Sequence, residues 1–126
     1  MSSRLRILYV EDRPDVREVI GEYLAFLGHD VRSCEHAEAA VEVLGDHAFD
    51  LLITDVSLPG MSGTDLARHV LRTQPDHWVV LCSGYDFGTG LATLGPNVRS
   101  MTKSFQPGVL QKMVDDIAAA LDAARH

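Results

Sequence analysis

Along the chain, short blocks of consecutive apolar residues alternate with longer blocks in which apolar residues return every three or four positions. The first pattern suits a strand buried on both faces, the second a helix that buries one stripe. Strands are expected at Leu5 to Val10, Asp30 to Cys34, Asp50 to Thr54, Trp78 to Cys82 and Val98 to Thr102. The first, third and fourth are richest in apolar side chains, which predicts central positions for them in a parallel sheet. A helix is expected where Val16, Val19, Ile20, Tyr23, Leu24 and Leu27 repeat, with Pro14 suited to its first turn and Gly28 to its C-terminal cap. A second is expected from about His36 to Leu44, stopping at Gly45, and a third from about Thr64 to Arg72, before Pro75. The last carries Leu110, Met113, Val114, Ile117 and Leu121 on one face, with Pro107 near its start. Between the fourth and fifth strands, GYDFGTGLATLGPN holds four glycines and a proline where a helix is due, so a helix there is expected to be short or irregular. Strands alternating with helices predict an α/β fold with a parallel sheet.

Length and charge narrow this picture. The 126 residues, 46% of them hydrophobic, suit one domain with one sizeable core. A formal charge of -7, from 18 acidic against 11 basic side chains, disfavours direct nucleic-acid binding. Cys34 and Cys82 have no zinc-ligand spacing and are expected to be reduced, structural thiols. The start, MSSRLRILYVEDR, has only a short apolar stretch before charges return, so neither signal peptide nor membrane span is expected. A soluble, cytoplasmic protein is the expectation.

The chemistry lies just past the strands. In a parallel α/β sheet, ligands bind outside the carboxyl ends of the strands. The residues there are Glu11 and Asp12 after the first strand, Asp55 after the third, Ser83 and Gly84 after the fourth, and Lys103 after the fifth. A single carboxylate in such a place is more often a turn or helix cap. Three carboxylates, a hydroxyl and an ammonium converging on one edge are a different matter. Three ionised carboxylates within a few ångströms repel one another unless a cation sits among them. Mg²⁺ meets that need, since it prefers oxygen ligands and characteristically takes one or two carboxylates together with a phosphoryl oxygen. Such a cluster suits a phosphoryl group attached to, or passing through, Asp55.

ILYVEDRPDVREVI, DLLITDVSLPGMSGTDLARHV, VVLCSGY and MTKSF, in this order, resemble the sequence blocks of a response-regulator receiver domain from two-component signalling. The likeness covers essentially the whole chain and implies one receiver domain over residues 1–126. It implies a doubly wound, five-stranded parallel sheet in the flavodoxin-like order 2-1-3-4-5, flanked by about five helices. By the same resemblance Asp55 is the phospho-acceptor, Glu11 and Asp12 are the acidic pair around Mg²⁺, and the backbone carbonyl of Ser57 is a further metal ligand. Ser83 is the switch hydroxyl and Lys103 the phosphate-bonding lysine. The implied partners are a sensor histidine kinase or histidine phosphotransfer protein as donor and a downstream protein target, with the receiver a monomer or a phosphorylation-dependent dimer. The reaction is phosphoryl transfer to a carboxylate, giving an acyl phosphate that water later removes, and not enzymatic turnover.

Two positions depart from the family pattern. Ser100 stands where a Tyr or Phe is usual three residues before the lysine, and Ser104 stands where a Pro usually follows it. With the switch ring missing, the segment from Gly84 to Asn97 is expected to report phosphorylation, and Tyr85 to limit the approach of water to the acyl phosphate. A pseudo-receiver that keeps the fold without being phosphorylated is one alternative. A haloacid-dehalogenase-like phosphatase is another, but it wants a second Asp where this chain has Ser57. Neither G-x-S-x-G nor a P-loop is present. The six histidines show no metal-ligand spacing and are expected on the surface.

Overall fold

The computed structural model describes residues 4–84, 94–102 and 106–125. Strands β1 (Arg6–Val10), β2 (Asp30–Cys34), β3 (Leu51–Asp55), β4 (Trp78–Ser83) and β5 (Val98–Thr102) form a parallel sheet in the order 2-1-3-4-5. The helices among the described residues are α1 (Pro14–Phe26), α2 (Ala37–Asp46), α3 (Gly63–Thr73) and α4 (Pro107–Arg125). The expected sheet order and the central placing of β1, β3 and β4 are thus observed. The short or irregular helix expected between β4 and β5 falls largely on residues 85–93, outside the described residues.

Period-two alternation along the central strands generates two half-cores. Ile7, Tyr9, Leu51 and Ile53 face one side and pack with Leu24 of α1 and with Leu110, Val114 and Ile117 of α4. Leu8, Val10, Leu52 and Leu81 face the other and meet Ala37 and Ala40 of α2 and Leu66, Ala67 and Val70 of α3. Each large apolar side chain so buried contributes roughly 1.5 to 3 kcal/mol. The outer strands differ: β2 exposes Asp30, Arg32 and Ser33, and β5 exposes Arg99, whose guanidinium lies 5.0 Å from the centroid of the Trp78 ring.

The helix ends explain the connections. At the end of α1, Gly28 takes φ of 100°, its N–H donates to Ala25 O (3.0 Å), and His29 N–H donates to Leu24 O (3.3 Å). This pairing of the last carbonyls is a Schellman cap, which turns the chain toward β2. The imidazole of His36 caps α2 by accepting Ala39 N–H at Nδ1 (3.0 Å), and Ser62 Oγ caps α3 by accepting Asp65 N–H (3.0 Å).

Several details correct the sequence reading. β1 begins one residue later than expected, β3 is shifted by one residue so that it takes in Asp55, and β4 extends to Ser83. Gly45 does not stop α2, which runs on to Asp46; one glycine near a helix end costs only about 1 kcal/mol. Val19 is 64% exposed, because at 100° per residue it stands about 140° around the helix from Leu24. His29 is not on the surface: it is buried, and its Nδ1 accepts Leu5 N–H at 3.0 Å. His77 is half-buried. Nearby, Arg6 donates to Asp50 from its backbone (2.8 Å) and guanidinium (3.1 Å), fastening β1 to the start of β3 at the end of the sheet opposite the acidic residues.

Candidate functional site

Strand geometry gathers the acidic residues. Glu11 and Asp12 directly follow β1, Asp55 ends the neighbouring β3, and Ser83 ends β4, one residue beyond Cys82, the register partner of Asp55. Glu11, Asp12 and Asp55 each place a carboxylate oxygen within 4.8 Å of the others. Glu11, Asp55 and Ser83 are buried; Asp12 is exposed. At an effective dielectric of about 20, two carboxylates some 5 Å apart repel by roughly 3 kcal/mol. An all-oxygen set at this spacing, part-buried and open to solvent through Asp12, fits a hard divalent cation that keeps some of its waters.

The backbone around these side chains is held in several places. Glu11 N–H donates to Cys34 O (3.1 Å), and Arg17 reaches back from α1 to donate from Nη1 to Glu11 O (2.9 Å). The Glu11 carboxylate also accepts Arg13 N–H (3.4 Å). Asp55 Oδ1 accepts Ser57 N–H at 3.3 Å, which folds the chain back over the end of β3, and Thr54 Oγ1 donates to Asp55 O (3.0 Å). Gly63 packs so closely on the Asp55 carbonyl that a Cβ would overlap it.

Beneath the carboxylates, on the α1 and α4 side, lies a cavity of about 210 Å³ lined by Tyr9, Glu11, Val16, Ile20, Asp55, Cys82 and Leu110, among others. Burial, reinforced by the nearby Glu11, Cys82 and Asp55, pushes the Tyr9 phenol far above its ordinary range, so it stays neutral. Burial likewise pushes the Cys34 thiol up. Cys34 and Cys82 are both buried thiols, as expected.

Of the residues singled out from sequence, Glu11, Asp12, Asp55 and Ser83 therefore come together at one edge, with exposed Ser57 beside them. Lys103, Ser104 and Tyr85 lie outside the described residues. Ser100 is half-buried on β5, in register with Leu81. Sequence reasoning missed Tyr9, Arg17 and Gly63. Tyr9 reads as ordinary alternation in a strand, and Arg17 as a solvated helix position. Only the close approach of α3 to the end of β3 exposes the demand on Gly63.

Residues 7–115 match the family model for the response regulator receiver domain. The chain belongs to this family. The receiver is 32% identical over 114 residues to the response regulator protein PilR of Pseudomonas aeruginosa, covering 89% of this chain and 26% of PilR. It covers only 16% of FleR from the same organism. It thus spans about a quarter or less of these longer relatives. By contrast, it is 30% identical to the response regulator receiver protein CpdR of Brucella abortus over 94% of this chain and 98% of CpdR. Among solved structures, the response regulator TrrA of Thermotoga maritima, in complex with Mg²⁺ and BeF, superposes with a TM-score of 0.80 at 27% identity, covering 89% of this chain and 97% of TrrA. The chemotaxis response regulator CheY4 of Vibrio cholerae shares the fold, with a TM-score of 0.79 at 20% identity over 91% of this chain and 99% of CheY4. Receiver domains serve phosphorelay signalling in two-component systems and are not turnover enzymes, which removes the phosphatase alternative. Among the described residues, no helix is long and apolar enough to cross a membrane.

Proposed function

We propose that this receiver, as one unit over residues 1–126, accepts a phosphoryl group on Asp55 from a phosphohistidine of a sensor kinase or histidine phosphotransfer protein. The observation that carries the reading is the convergence of the Glu11, Asp12 and Asp55 carboxylates within 4.8 Å at the ends of adjacent strands. An Asp55 oxygen attacks phosphorus as the phosphorus–nitrogen bond breaks, and the imidazole nitrogen leaves with the bonding pair and takes up a proton. The protein contributes position and charge more than covalent chemistry. Glu11, Asp12, Asp55 and the Ser57 carbonyl would hold Mg²⁺, which neutralises the crowded carboxylates and the incoming phosphoryl oxygens. Ser83, buried at the end of β4, would donate its hydroxyl to a phosphoryl oxygen, and Lys103, by its match to the family pattern, would supply an ammonium. The product is an acyl phosphate that water removes, so the signal is transient. Output passes to a protein target in the cytoplasm, from a monomer or a phosphorylation-dependent dimer.

Incubation with acetyl phosphate and Mg²⁺, followed by intact mass, tests this. The wild-type chain is expected to gain one phosphate, with no gain in Asp55→Asn or in chelator. Phosphorylation surviving in that variant would refute the assignment of the acceptor. No gain in the wild type would favour the pseudo-receiver alternative.

A further inference from the structure

The loop from Val56 to Ser62 joins β3 to α3, and both its ends are fastened. Ser57 N–H donates to Asp55 Oδ1 at 3.3 Å, and Gly63 N–H donates to Val56 O at 2.9 Å. Between these ends Pro59 and Gly60 stand in solvent. The apex is caught from another element. Glu38, in the first turn of α2, accepts Met61 N–H at Oε2 (3.3 Å) across 23 residues of sequence. Gly60 has φ of 75°, and a Cβ on it would lie 2.5 Å from that same oxygen, so the turn has both the backbone and the open space that admit the carboxylate. Accepting hydrogen bonds from its own amide and from Met61 holds the Glu38 carboxyl below its usual range, in keeping with an ionised acceptor.

We infer that Glu38 is a positioning residue for the metal site: by pinning Gly60 and Met61 to α2 it fixes the course of the loop and so holds the Ser57 carbonyl beside Asp55. The inference rests on the proposed roles of Asp55 and Ser57 in holding Mg²⁺. Glu38 lies half in solvent, so core packing does not account for it. A loop tied only at its ends samples many apex positions, and a ligand on it must be ordered when the cation binds. A tie already made at the apex lowers that ordering cost and raises affinity without touching the ion.

The test uses the full chain without a phosphodonor. Mg²⁺ binding is followed through backbone amide shifts, and exchange of the Met61 amide is measured in metal-free protein. Glu38→Ala is expected to speed Met61 exchange and to weaken Mg²⁺ binding about three- to tenfold, less than the roughly 10- to 100-fold typical of groups bonded directly to a metal ligand. Glu38→Gln keeps an acceptor oxygen and loses the charge, and is expected to stay within about twofold of wild type in both readouts, since a positioning hydrogen bond survives the change. Unchanged Met61 exchange in Glu38→Ala would overturn the inference, as would faster exchange with unchanged Mg²⁺ affinity. Equal loss of affinity in both variants, with Met61 still protected in Glu38→Gln, would make the effect one of remote charge and would also overturn it. If the wild type itself shows no Mg²⁺-dependent shifts near Glu11, Asp12 and Asp55, the metal site fails first, and the inference falls with it.

Discussion

Gly63 shows how a residue with no chemistry of its own constrains the proposed phospho-acceptor. A Cβ at this position meets the Asp55 carbonyl and crowds Thr54 Oγ1, at 3.0 Å. Gly63→Ala must therefore push α3 away or displace the end of β3. The expected cost is about 1 to 3 kcal/mol of stability, as for other overpacked sites, together with loss of phosphate uptake because Asp55 shifts with the strand. Thermal melts and intact mass on the same sample check both effects. The acidic residues were legible in the sequence, since each follows or ends an apolar strand and such ends share an edge. Glu38 and Arg17 were not legible. Their contacts join backbone groups that come close only after α2 and α1 have docked, and no local pattern encodes which charged side chain on a helix will meet a loop.

At the scale of elements, periodicity found the five strands and the four described helices, while their ends moved by a residue or two. Ends are set by caps, and caps are decided by backbone geometry as much as by residue type. Gly28 and Gly45 show the difference. Both stood as helix stops in the sequence, but only Gly28 takes the left-handed conformation that ends a helix, whereas Gly45 continues one. Gly28→Ala is accordingly expected to cost about 1 to 2 kcal/mol, the strain of a side chain in the left-handed region. Gly45→Ala is expected to be neutral or to stabilise by up to about 1 kcal/mol, since alanine is the better helix former. Urea unfolding of the two variants side by side distinguishes them; equal losses would mean that the capping assignment is wrong. Val19 misled for a related reason: an apolar residue at near-helical spacing was counted with the buried stripe although it points away from it.

Across the whole molecule, the end of the sheet opposite the acidic cluster carries a dependence on pH. His29 must keep Nδ1 unprotonated to accept Leu5 N–H, and burial depresses its affinity for protons. Burial lowers His77 in the same direction. A histidine with a lowered folded pKa binds fewer protons when folded than when unfolded. Its contribution to stability is therefore present above the unfolded value of about 6.5 and is lost as pH falls through that value toward the folded pKa. The urea midpoint is expected to drop between about pH 7.5 and 5.5, before most carboxylates titrate. His29→Gln, which keeps an acceptor without the titration, is expected to flatten the slope; an unchanged slope would exclude His29 as its source. The charged margins of the sheet bear on how two copies could meet. Asp30 and Arg32 on β2 and Arg99 on β5 put ionic side chains where a neighbouring molecule would have to lay down a sixth strand, and each would lose solvation in doing so. Ribbon-like polymerisation through the sheet is thereby opposed at both margins. Two copies that met through helices and loops instead would not carry that desolvation cost.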